Sequence, residues 1–399
     1  MPGRDVKPRT VEVRAVALTV RRAKSNPARG TAQRQSAAKG RGAVTTEPEV
    51  LLKEKGAAGI ITLNRPKALN ALNLAMVREI LPRLRAWAKD PAITRVIIKG
   101  AGEKAFCAGG DVRSIYDLGL SGRAEEALGF FREEYVLNDY IGSFPKPYVA
   151  LIDGICMGGG FGLSAHGAHR VAGDRYLFAM PEVNIGLFPD VGGTHVLPRL
   201  PGAFGVFLAL TGTRIRAAEA FACGLATDVV PSAAFPALEE ALVAGGDVER
   251  ILADHRIDPG PGTFASRADF IADTFGRPDV PAILAALDDA GAAGGEHGEF
   301  AAATAREVRL RSPTSLCIAM EQMRRGRALD LGACLKLELR VVTRVMAGHD
   351  FYEGVRAVLV DRDNAPKWQP SKLEEVDSAV IAAHFDPIPN ELELLAPGA

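Results

Sequence analysis

Cysteine is scarce in this chain and unpaired: Cys107, Cys156, Cys223, Cys317 and Cys334 are odd in number, scattered, and contain no C-x-x-C. That excludes a disulfide framework and a zinc site built on paired thiolates, and fits a reducing compartment. Long apolar runs are missing too. Even Val149-Ala150-Leu151-Ile152 is cut short by Asp153-Gly154, far below the roughly 18 residues of a membrane helix, so neither a membrane span nor a membrane partner is expected. There is no G-x-S-x-G elbow, because Gly162-Leu163-Ser164-Ala165-His166 breaks it at the last position, and no G-x-x-x-x-G-K phosphate loop. His166 and His169 are three apart and could share a helix face, but no third ligand has metal spacing, so no metal is expected.

Net charge is zero, yet unevenly placed. Residues 1–44 hold eleven Lys/Arg against Asp5 and Glu12, a charge of +9 that leaves −9 on the remainder. This basic segment lacks an apolar stripe and a secretory core, and it is expected as a disordered extension. An organelle transit peptide or an upstream mis-set start would look alike. It also lacks interleaved aromatics, so no specific nucleic-acid partner is expected from it. The body, in a chain 47% hydrophobic, can bury a sizeable core.

From residue 47 the pattern is orderly. Glu49–Glu54 and Gly59–Leu63 flank a Gly-Ala-Ala turn as a hairpin would. Met76, Ile80, Leu84 and Trp87 follow Asn73 at helical spacing, with Asn73 as N-cap, and Arg95–Gly100 reads as a strand. A helix through 124–141 and a buried strand over 147–152 come next, and then a helix opening within Gly158-Gly159-Gly160. We divide the chain into the extension 1–44, a core over 45–244, and a mostly helical region over 245–399.

The chemistry is carried by two Gly-rich turns, each just after a strand: Ala105-Phe106-Cys107-Ala108-Gly109-Gly110-Asp111 and Met157-Gly158-Gly159-Gly160-Phe161-Gly162. Backbone N–H groups at helix starts are unpaired and sit at the positive dipole end, so two such turns suit an oxyanion hole and acyl chemistry. Downstream stand two acids, Glu182 and Asp190, among the apolar Phe178, Met180, Ile185, Leu187 and Phe188. Such acids should repel, so one is expected to hold a proton. Cys107 and Cys156 beside the turns are expected to be small apolar packing groups.

These stretches, with Ala68-Leu69-Asn70-Ala71-Leu72 and Met180 to Gly193, resemble the crotonase (enoyl-CoA hydratase/isomerase) superfamily over roughly residues 47–370. The resemblance implies an α/β fold, a crotonase-type spiral of repeated ββα units with a helical C-terminal region. It implies that the N–H groups of Gly110 and Gly159 bind a thioester carbonyl, and that Leu69 and Ala108 lie along the coenzyme A moiety. Hydratases of the superfamily carry an acid where this chain has Gly162, so hydration loses one of its two acid/base groups.

Glu182 and Asp190, together with Phe130–Tyr135, Met346–Ala357 and Lys367-Trp368, resemble the 3-hydroxyisobutyryl-CoA hydrolase branch, the thioesterases of valine breakdown. That implies catalytic Glu182 and Asp190, with Glu134 lining the acyl pocket. Glu182 would either attack the carbonyl to form a mixed anhydride or activate water. An enoyl-CoA isomerase or hydratase is the alternative, and an RNA-binding relative a remote one. No bound cofactor is implied, since coenzyme A enters with the acyl-CoA substrate. Family members are often oligomeric through C-terminal helices, which makes a homo-oligomer an open expectation. A cytoplasmic protein is expected, or a mitochondrial matrix one if residues 1–44 are a presequence.

Overall fold

The computed structural model describes residues 47–395. The extension 1–44 and its expected disorder lie outside them. Val50–Lys55 (β1) and Ala58–Leu63 (β2) pair antiparallel with Lys55 opposite Ala58, so the turn is Gly56-Ala57, tighter than the spacing suggested. Gly56 takes it at φ +54°, where a side chain is disfavoured. The first helix, Leu74–Lys89 (α1), starts as expected: Asn73 Oδ1 accepts the Met76 N–H at 2.9 Å, and Met76, Val77, Ile80, Leu84 and Trp87 face inward.

The remaining strands are Arg95–Gly100 (β3), Ala105–Cys107 (β4), Tyr148–Ile152 (β5), Ile155–Met157 (β6), His169–Ala172 (β7), Leu177–Ala179 (β8) and Asp228–Val229 (β9). They form a six-stranded sheet, β1-β2-β3-β5-β7-β9, and a three-stranded one, β4-β6-β8. Beyond the hairpin every pairing between these strands is parallel and follows chain order. Successive turns of chain therefore lay one strand on each sheet, the expected spiral. Parallel strands need crossovers, supplied here by helices. Val112–Leu120 (α2) and Ala124–Gly142 (α3) link β4 to β5, and Gly159–Ser164 (α4) links β6 to β7.

One face of the larger sheet, through Ile60, Ile97, Val149, Leu151 and Val171, packs on Leu238, Leu242 and Leu252 from the helices Phe235–Ala244 and Val248–Ala253. Among the described residues no strand follows β9, and helices such as Pro313–Gly326 and Leu331–Val345 complete the main core.

Two expectations are settled here. His166 and His169 do not share a helix face, because α4 ends at Ser164 and His169 opens β7. Cys107 and Cys156 are buried packing groups, and burial pushes both thiols up to about 12.

Candidate active site

Register places the two Gly-rich turns side by side. Cys107 lies opposite Cys156 on the adjacent parallel strands β4 and β6, so the three residues that leave each strand travel together. The Leu72 backbone bridges the first turn, donating to Gly109 O and accepting from Asp111 N–H, each at 2.8 Å. Strand geometry then points the Gly110 N–H away from Leu72 and toward the second turn. Gly159 is the first residue of α4, where the N–H has no intrahelical partner. A Cβ on Gly159 would stand 3.3 Å from the Gly110 amide nitrogen, so the two donors share one small space. Gly158 makes the turn at φ +44°, ψ −117°, a glycine conformation.

Two carboxylates press on this space. Glu134 comes from α3, and its Oε1 lies 2.8 Å from where a Gly159 Cβ would be. Glu182 opens the short helix Glu182–Ile185 after Pro181, and its Oε1 lies 3.2 Å from the corresponding position on Gly158. Asp190 joins them through Tyr135, the neighbour of Glu134 on α3, whose hydroxyl donates to Asp190 Oδ2 at 2.7 Å.

A fourth acid is Glu338, on the helix Leu331–Val345. All four carboxylates are buried, and no lysine or arginine of the described residues neutralises them.

Their acidities divide. Burial, then the Asp190 charge, lifts Glu182 well above the usual carboxylate range; burial, then Asp190 and Glu338, does the same to Glu134. Glu338 is pushed up to about 8 by burial and then by Asp190. Asp190 is raised by burial only to about 6, because the Tyr135 hydroxyl stabilises its ionised form. Asp190 is thus the readiest of the four to ionise, and burial favours the protonated forms of Glu134 and Glu182. Glu134 Oε1 and Glu182 Oε2 lack hydrogen-bond partners. Asn138, one turn after Glu134, is wholly buried with both amide atoms unpartnered.

The loop that carries Asp190 is strained and clamped. Val191 has φ +51°, an outlier for a β-branched residue that costs about 1–3 kcal/mol unless its surroundings enforce it. Three side chains enforce it. His166, kept neutral because burial lowers it to about 4, donates from Nε2 to Val191 O at 2.8 Å. Glu338 accepts the N–H groups of Gly192 at 2.8 Å and Thr194 at 2.9 Å. Gln322 donates from Nε2 to Pro189 O and Thr194 Oγ1, each at 2.6 Å.

The Glu182 segment is seated differently, backbone on backbone. A Cβ on Gly186 would collide with the Asp350 carbonyl, and one on Gly354 with the Ile185 backbone. Asp350, Phe351 and Gly354 give the stretch 346–357 this contact.

Sequence reasoning named Gly110, Gly159, Glu134, Glu182 and Asp190, and the fold gathers all five. Leu69 and Ala108 meet as well, through an Ala108 N–H bond to Leu69 O at 3.1 Å. Leu69 and Asn70 both turn at positive φ, fixed by the buried Asn70 amide, which accepts from Arg65 N–H and donates to Ala101 O and Ala105 O at 2.9 Å each. A cleft of about 430 Å³ opens beside them, lined by Lys67, Leu69, Gly102, Lys104 and Ala105.

Tyr135, Asn138, Gln322 and Glu338 were missed, while His166, read as structural or solvated rather than a metal ligand, holds the Val191 carbonyl. A signal existed for Glu338, an acid on the apolar stripe Cys334, Leu335, Leu339, Val342 of its helix.

A family model described as enoyl-CoA hydratase/isomerase matches residues 58–385. Among curated relatives, the chain is 47% identical over 352 residues to the mitochondrial 3-hydroxyisobutyryl-CoA hydrolase of Xenopus tropicalis, covering 86% of this chain and 90% of that one. It is 46% identical over 349 residues to the protein of the same name from Homo sapiens, with 84% and 88% covered. Among solved structures it is similar to a carnitinyl-CoA dehydratase from Mycobacterium thermoresistibile, with a TM-score of 0.81, 41% identity, and 86% and 98% covered. An enoyl-CoA hydratase from Rhodobacter sphaeroides 2.4.1 also gives a TM-score of 0.81, at 38% identity with 87% and 100% covered.

Proposed function

The chain belongs to the enoyl-CoA hydratase/isomerase family, and on that premise we propose that it hydrolyses a short 3-hydroxyacyl-CoA thioester, 3-hydroxyisobutyryl-CoA first among them, to the hydroxy acid and free coenzyme A. One observation carries the reading: the paired turns hold Gly110 and Gly159 together, with Glu134 and Glu182 against the second turn.

The thioester oxygen accepts from the Gly110 and Gly159 N–H groups, which stabilise the negative charge as the carbonyl carbon becomes tetrahedral; a lost donor of this kind costs about 2.7–4 kcal/mol. Glu182 first passes its proton to the ionised Asp190; the Glu182 carboxylate then attacks that carbon, expelling the thiolate and leaving a mixed anhydride that water opens, or it takes the proton of an attacking water. Single-turnover hydrolysis in heavy-oxygen water separates the routes: label in the Glu182 side chain marks the anhydride. Asp190, ionised first, holds the substrate hydroxyl or the water, and a protonated carboxyl of the cluster returns a proton to the thiolate. Side chains and amides supply all of this chemistry, with neither a metal nor a bound cofactor assigned. Lys67 and Lys104, flanking the cleft beside Leu69 and Ala108, would attract the phosphates of coenzyme A.

Hydration is the competing reading, favoured by the two solved structures named for it. It is opposed at Gly162. A Cβ there would stand 2.8 Å from both Asn138 Nδ2 and Val191 Cβ, so the hydratase acid is absent and its place is filled.

The test is thiol release from 3-hydroxyisobutyryl-CoA, 3-hydroxypropionyl-CoA and crotonyl-CoA, beside Glu182→Gln and Asp190→Asn. Release from the hydroxyacyl thioesters that collapses in both variants supports the hydrolase; conversion of crotonyl-CoA without thiol release moves the assignment to hydratase. A homo-oligomer without nucleic-acid or membrane partners completes the reading. Cytoplasm is its compartment unless residues 1–44 act as a matrix presequence like that implied by the relatives' names, which a fluorescent fusion with and without those residues decides.

A further inference from the structure

Asn138 is wholly buried, and neither its Oδ1 nor its Nδ2 has a hydrogen-bond partner. A buried amide left unpaired is costly, and such groups call for a ligand or water to satisfy them. Its position favours a ligand. Glu134 and Asn138 are four apart on α3 and share one face. Across from that face, Gly159 and Gly162 are three apart on α4.

The two helices meet in step. Glu134 Oε1 lies 2.8 Å from the Gly159 Cβ position, and Asn138 Nδ2 and Oδ1 lie 2.8 and 3.1 Å from that of Gly162. Asn138 therefore stands about one helical turn, roughly 5.4 Å, along from the amide that binds the thioester oxygen. That is the reach of a substituent two carbons beyond a carbonyl. With no Cβ at Gly162, the Asn138 amide packs closely between the Gly162 backbone and Val191, the neighbour of Asp190.

We infer that Asn138 binds the 3-hydroxyl of the acyl group directly and sets the enzyme's preference for hydroxylated over unsubstituted acyl thioesters. This rests on the reading of the site as a 3-hydroxyacyl-CoA hydrolase. The chemistry is complementary: an amide offers two donors and an acceptor, an alcohol one donor and two acceptors. Unlike the carboxylates around it, the amide does not titrate, so it holds a neutral hydroxyl at any working pH.

The test compares kcat/KM for 3-hydroxyisobutyryl-CoA and isobutyryl-CoA in the wild-type chain, Asn138→Leu and Asn138→Ala, with melting temperatures. Leucine is close in volume and removes two unpaired polar atoms, so folding should be retained; the Asn138→Ala variant adds no atoms and repeats the ratio should leucine fail to pack. The expected result is a fall of about 10- to 100-fold for the hydroxy substrate, with isobutyryl-CoA changed by less than about twofold. An unchanged ratio between the two substrates, whether both rates fall together or neither falls, overturns the inference and leaves the hydrolase reading intact. Absence of thiol release from either substrate by the wild-type chain overturns the hydrolase reading itself.

Discussion

Tyr135 donates its hydroxyl hydrogen to Asp190 Oδ2 over 2.7 Å, inside the protein and out of reach of solvent. This bond separates Asp190 from the other carboxylates of the cluster, because it favours the ionised form where burial alone would favour the acid.

The pH dependence of kcat/KM should show it. With Asp190 raised to about 6, activity rises with pH through that value as the carboxylate forms. Tyr135→Phe removes the stabilising donor, so the acidic limb moves upward, while Asp190→Asn abolishes it. A limb that stays in place in Tyr135→Phe assigns the titration to another group.

Gly159→Ala tests the oxyanion hole. The added methyl would lie 2.8 Å from Glu134 Oε1 and 3.3 Å from the Gly110 nitrogen, within the space the thioester oxygen needs. We expect kcat to fall by about 10²–10³, with KM and melting temperature changing much less. Equal losses in stability and activity would point to a packing role instead.

Glu182 should make the protein less stable as pH rises. Its folded pKa is above the unfolded value of about 4.3, so between the two the folded state binds more protons, and stability present below about 4.3 is lost on the way up. Glu182→Gln escapes this. The variant should be inactive, similar to wild type in melting temperature near pH 5, and higher by a few degrees near pH 8; equal melting temperatures at both values would show that Glu182 carries no buried penalty.

Glu338→Gln attacks the clamp on the Asp190 loop. Glutamine can accept only one of the N–H groups of Gly192 and Thr194 and turns its own NH₂ toward the other, a loss of about 1–3 kcal/mol. Urea unfolding should report that cost. Because Val191 is held at φ +51° against its preference, activity should fall further than stability alone explains.

Much of this site was legible because its parts are local. Glycine turns after strands, an N-cap at Asn73 and acids embedded in apolar sequence each follow from neighbours a few residues away. The spiral makes the long-range step predictable, since consecutive turns of chain land beside each other and bring Gly110 to Gly159. Glu338 and Gln322 could not be placed so, being 148 and 132 positions from Asp190 and reaching its loop only through helix packing that no local pattern encodes. Asn138 was hidden for another reason: on a helix with as many polar and charged residues as α3, one asparagine reads as one more of them until it is seen to be wholly buried with both amide atoms lacking partners. The two histidines part company because the helix that would have joined them stops at Ser164.

Four buried acids without a cation also bear on how the cycle ends. The acyl group enters as a neutral ester of a thiol and leaves as a carboxylate, so the reaction itself creates a charge like that of ionised Asp190 in the wall. Repulsion grows at the instant of cleavage and falls as the product departs. The same pocket that accommodates the uncharged acyl group therefore drives out the anion formed from it, and inhibition by the free hydroxy acid should be weak and weaken further as pH rises.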